Sequence, residues 1–83
     1  MNDIPSGTAE AIRDVLFLEE QPHPNWDEIG DICNREISRL NETGLGGVVN
    51  GLPYQFLEDH DVRRKDPKYG EWQRAKVRDF LAS

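Results

Sequence analysis

One stretch, Asn25 to Leu45, carries a helix start signal, a periodic apolar face and a stop signal in agreement, and it constrains the fold more than any other part of the chain. Asn25 is placed to cap a first turn beginning at Trp26, and Glu28 stands three residues on, close to a capping box. Trp26, Ile29, Cys33, Ile37 and Leu40 follow at spacings of three, four, four and three, and Ile32 widens the stripe. Gly44 occupies the site of a left-handed C′ residue, with Leu45 behind it to touch Leu40 as in a Schellman motif. The pattern predicts a helix over Trp26–Glu42.

The flanking segments must supply what this helix packs against. Residues 1–5 are expected to be loose. A first helix is expected from Ser6 or Thr8, either of which can cap it, to about Glu20. Ile12, Val15 and Leu16, with Ala9 and Ala11, face inward, Leu18 lies at the edge, and Phe17 points away. Glu19 and Glu20 oppose the macrodipole at its C-terminus, which predicts fraying. Pro22 and Pro24 then break the chain around His23, read as a solvated turn residue. Between Gly44 and Asp61 the glycines predict a loop, followed by a short helix starting at Pro53 that tucks Leu52, Phe56 and Leu57 inward and leaves Tyr54 nearer the surface. Asp66 and Pro67 mark a final helix with Tyr69, Trp72, Val77, Phe80 and Leu81 inward.

The fold class that follows is all-α: a single domain, residues 1–83, built as a small compact bundle of three main helices plus one short helix between the second and third. Its predicted core is Ile12, Val15, Leu16, Ile29, Cys33, Ile37, Leu40, Phe56, Leu57, Trp72, Val77 and Phe80. Glu36 on the second helix, and Gln73 and Lys76 on the last, intrude on apolar faces. An unpaired buried carboxylate is costly, so Glu36 and Lys76 are read as a candidate pair.

Eighty-three residues with 36% apolar and 31% charged side chains leave little room for both a core and a deep active-site pocket. One cysteine and two histidines allow neither an internal disulfide nor a zinc site, and no cofactor or metal is expected. Met1 to Ser6 does not read as a secretory signal, and no apolar run is long enough to span a membrane, which predicts a soluble cytoplasmic protein. Charge is uneven along the chain. Residues 1–61 hold three basic and thirteen acidic side chains, whereas residues 62–83 hold seven basic and three acidic ones. Either the basic end folds back on the acidic part, or the two meet different partners.

Three functional readings compete. Glu58-Asp59-His60-Asp61 is the densest titratable cluster, and a histidine beside carboxylates could act as a general base in a small enzyme. The basic run holding Arg63, Arg64, Lys65 and Lys68, with Trp72 beyond it, could hold phosphates and stack on a base, although the acidic remainder repels a polyanion. The leading reading is a protein-interaction module without catalytic activity. It is expected to bind a protein partner, a basic one by charge, through the 44–61 segment and adjacent acidic surface, with Tyr54, Glu58, Asp59, Asp61 and Phe17 as partner-binding residues. Homodimerisation through Phe17 or Tyr54 is compatible with it. Two longer helices, a short helix carrying Tyr54 and a final helix make a layout similar in outline to bacteriocin immunity proteins, though that family's sequence motifs are not present.

Overall fold

The computed structural model describes residues 4–44 and 51–82, in the order α1 (Ser6–Glu19), α2 (Trp26–Glu42), α3 (Leu52–Glu58), α4 (His60–Lys65) and α5 (Pro67–Ala82). The all-α class holds, with three long helices and two short ones among the described residues. The extra short helix is α4, in the stretch before Asp66 to which no helix was assigned. Asp59 both ends α3 and begins α4, and its carbonyl accepts from Arg63 N–H at 2.9 Å. The chain therefore kinks at one residue and stays helical. Arg63 is the reason the sequence hid this: it lies seven residues after Phe56 on the same helical face, buried where an apolar side chain would have advertised the helix.

The helix ends follow local chemistry. Asn25 Oδ1 accepts Glu28 N–H at 3.1 Å, and Asp66 Oδ1 accepts Tyr69 N–H at 3.1 Å. Gly44, at φ +74°, takes the left-handed conformation after α2, and its N–H donates to Asn41 O. The expected contact of Leu45 with Leu40 and the loop over residues 45–50 lie outside the described residues. Gly51, at φ +81°, leads into α3, where Pro53 occupies the first turn. α1 differs from expectation: neither Ser6 nor Thr8 caps it, and Pro5 precedes it with no side-chain cap. Thr8 is instead turned fully inward. Ile4, just ahead of it, packs against the core.

Ile12, Val15, Leu16, Ile29, Cys33, Leu40, Phe56, Leu57 and Val77 form one buried cluster, with Ile37 packed at its margin. Two expected core residues are corrected. Trp72 is 53% exposed and Phe80 only half-buried. The inward face of α5 is instead Gly70, Gln73 and Val77, so the helix is rotated to aim Gln73 inward and Trp72 to solvent.

α1 and α2 run antiparallel and are clasped at one end by the misfit carboxylate. Glu36 accepts from Thr8 Oγ1 at 2.6 Å and from Arg39 Nε at 3.0 Å, so its partners are Thr8 and Arg39, not Lys76. An arginine one turn away on the same helix and a threonine on the facing one satisfy it without help from α5. Burial by itself would raise the Glu36 pKa, but the hydrogen bonds from Arg39 and Thr8, with the Arg39 charge, outweigh it and leave the group below its ordinary 4.5. A depressed carboxylate contributes stability that is full above about pH 4.5 and is lost as pH falls through the lower folded value. Denaturant unfolding from pH 7 to about pH 3 should therefore show a steeper acid loss in the parent than in Glu36→Gln; parallel curves would exclude the clasp.

Candidate functional site

Much of the basic C-terminal part folds back onto the acidic part. Glu19, fully buried, accepts from Arg63 Nε at 3.0 Å to each carboxylate oxygen and from Arg74 Nη1 at 2.8 Å, and Glu20 pairs with Arg78. The glutamates expected to fray α1 are thus held by three arginines from α4 and α5. Arg63 also donates through Nη1 to Phe56 O and, at 2.7 Å, to Gln73 Oε1, while its guanidinium lies 3.8 Å over the Phe56 ring. Its Nη2 is 2.9 Å from Glu19 Oε2 as a charge contact only, outside hydrogen-bond geometry. The network continues outward. Gln73 Nε2 donates to Asp59 Oδ2 at 3.0 Å, and Tyr69 Oη donates to the same oxygen at 2.7 Å. That hydrogen bond to Asp59, then burial and the carboxylate charge, raise the Tyr69 pKa above 10 despite Arg63 nearby.

The structure sends the titratable cluster in different directions. Glu58 and Asp61 are exposed, whereas Asp59 turns inward to Tyr69 and Gln73. His60 lies over Gly30, where an added Cβ would come within 3.3 Å of its Cε1, and its Nδ1 is 3.5 Å from Asp61 Oδ1. Cys33 is buried, and burial pushes its thiol up to about 11, with Arg63 lowering it and Glu19 raising it. Asp59, His60 and Asp61 thus have structural neighbours, whereas Glu58 is exposed without an ion pair among the described residues. Among the described residues, no cluster of histidine, cysteine and carboxylate side chains could hold a metal. No helix there is long and apolar enough to cross a membrane.

The five partner-binding candidates do not form one patch. Tyr54 donates to Asn41 Oδ1 at 3.3 Å near the C-terminal end of α2. Phe17, 65% exposed, lies toward the other end of α2, in a depression of about 180 Å³ shared with Asp14, Leu18, Glu28 and Ile32. From Ile32 to Asn41 the helical rise amounts to roughly 14 Å. The lining combines three apolar side chains with the carboxylates of Asp14 and Glu28, and through Asp14 and Ile32 it adjoins a second depression of the α1–α2 groove that holds Glu10, Arg35 and Arg39. Asp14, Glu28 and Glu10 make no ion pair among the described residues.

The candidate nucleic-acid run is also divided. Arg63 belongs to the interior, which corrects its assignment to a phosphate-binding surface. Arg64, Lys65 and Lys68 are exposed and, like Lys76, form no ion pair among the described residues. Lys68, Trp72 and Lys76 stand at four-residue spacing on one face of α5, with Lys76 Nζ 6.0 Å from the indole centroid and Asp79 further along. Sequence reasoning missed both the Glu19–Arg63 pair and this stripe. The signal was there in part: Glu19 continues the inward face of Val15 and Leu16, and Gln73 already intruded on the face assigned to Trp72. Compared with known proteins, the chain matches no family model, no curated protein and no solved structure.

Proposed function

We propose that this protein is a helical interaction module without catalytic activity, which binds a basic protein partner through the depression at Phe17. The observation that carries the reading is the combination at that site of an exposed phenyl ring, an apolar floor from Leu18 and Ile32, and the free carboxylates Asp14 and Glu28. A large exposed apolar side chain with unpaired like charges around it is a docking arrangement for an apolar anchor flanked by cations. Tyr54 and Glu58 on α3 and Asp61 on α4 do not line that depression, and Asp59 leaves the binding set because it serves Tyr69 and Gln73. A buried free cysteine suits a reducing compartment, and we place the protein in the cytoplasm.

The test is an NMR titration with a synthetic amphipathic helix carrying tryptophan between two lysines at four-residue spacing. Amide shifts should concentrate on residues 7–18 and 28–35 and weaken at least tenfold between about 0.05 and 0.5 M salt. Phe17→Ala should abolish them. Shifts confined to residues 54–61, or none, would refute the Phe17 site.

A further inference from the structure

Building on the Phe17 reading, we infer that the partner in that depression is a second copy of this chain, seated through the Trp72 face of α5. The chain displays both halves of a complementary contact. One is a floor of Phe17, Leu18 and Ile32 rimmed by Asp14 and Glu28. The other is an indole 53% exposed, with Lys68 and Lys76 one turn to either side, neither in an ion pair among the described residues, and Asp79 further along the same face. Size agrees as well as charge: a depression of about 180 Å³ is on the scale of one aromatic ring, since a cavity of roughly 150 Å³ holds benzene.

One copy cannot make this contact with itself. Arg74 and Arg78 on α5 reach Glu19 and Glu20 of α1, next to Phe17 in sequence. Trp72 stands two residues from Arg74, about 200° round the helix, so it faces away from α1. The contact therefore joins different surfaces of two copies, which makes it heterologous: one copy's α5 fills the next copy's groove, leaving a free face at each end. A polyanion would meet the same lysines but would also extend onto a chain of net charge −6. That net charge opposes association only at long range. At about 0.15 M salt the Debye length is roughly 8 Å, so contacting lysine–carboxylate pairs act while distant repulsion is screened.

Sedimentation velocity at about 0.15 M salt, from about 10 µM to 1 mM, tests the inference. The parent should show a mass rising with concentration above the 9.5 kDa of one chain, and falling back at about 1 M salt. Trp72→Ala and Phe17→Ala, both at exposed positions, should each be monomeric with unchanged circular dichroism. Mixed one to one, they should form a dimer that goes no further, because Phe17→Ala keeps its Trp72 face and Trp72→Ala keeps its groove. Charge reversal at Lys76→Glu should weaken the parent association at least tenfold. A parent that stays monomeric at 1 mM overturns the inference, as does a mixture that fails to pair. Self-association that survives Trp72→Ala overturns it too, since that contact would use Phe17 on both sides. A parent monomer that still binds the cationic helix at Phe17 removes the second copy and leaves the binding reading intact. A shift of the Trp72 indole resonance on adding oligo-dT, without self-association, would assign the α5 face to single-stranded nucleic acid instead.

Discussion

Replacing Arg63 by alanine should cost about 3–5 kcal/mol of stability, the usual penalty for removing one member of a buried ion pair. A chain of 83 residues has about 4–12 kcal/mol in total at typical per-residue values, so the variant should lose about half of a mid-range stability and unfold at 25 °C if the parent lies near the low end. The size of the effect has three sources. Glu19, with no side-chain exposure, would keep only Arg74 as a cation. Phe56 O and Gln73 Oε1 would lose their donor, and the Phe56 ring its guanidinium cover. Arg63→Lys should recover little, because an ammonium cannot reproduce a planar fork reaching Glu19, Phe56 and Gln73 together. The double variant Glu19→Met, Arg63→Met should recover only part of the loss: it removes the uncompensated Glu19 charge, and Arg74, partly exposed, can turn to water, but Phe56 O and Gln73 Oε1 stay without their donor. Urea unfolding followed by circular dichroism measures all four proteins. An Arg63→Ala variant within 1 kcal/mol of the parent would show that the network is not holding α4 to α1.

Leu40→Ala should cost about 2–5 kcal/mol by the same measurement. Leu40 is fully buried at the end of α2, in the cluster that includes Phe56 and Leu57, and its loss leaves a cavity between helices that are already anchored. The informative control is Trp72→Ala. Both residues lie on stripes that the sequence marks as inward, yet Trp72 is 53% exposed and touches only the Tyr69 ring among aromatics of the described residues, so removing it should cost no more than about 1.5 kcal/mol. Equal losses from the two substitutions would put Trp72 back in the core and remove the α5 face as a surface for anything.

These substitutions separate two uses of one set of charges. Of the seven basic residues after residue 61, Arg63, Arg74 and Arg78 neutralise Glu19 and Glu20 at the end of α1, and Arg64, Lys65, Lys68 and Lys76 remain on the surface. Variants of the first group should change folding, and variants of the second should change association. The fold-back explanation of the charge asymmetry thus covers Arg63, Arg74 and Arg78, and the proposed association draws on cations of the other face of α5.

The sequence alone was enough for the parts governed by near neighbours. Asn25, Gly44, Asp66 and Pro67 mark their helix ends because capping and left-handed glycine act within one turn. The inward faces of α1 and α2 follow from the 3.6-residue period, and with them most of the buried cluster. What near neighbours could not decide was the partner of each polar group on an apolar face. Glu36 found Thr8, 28 positions away, and Glu19 found Arg63, 44 positions away. Once Arg63 was buried, α4 became a helix and not a loop, Gln73 was drawn inward to it, and α5 turned Trp72 out to solvent between its lysines. An apolar stripe shows that a helix has an inner face, but a buried charge must be matched in three dimensions, and that matching decided which side of the last helix was left exposed.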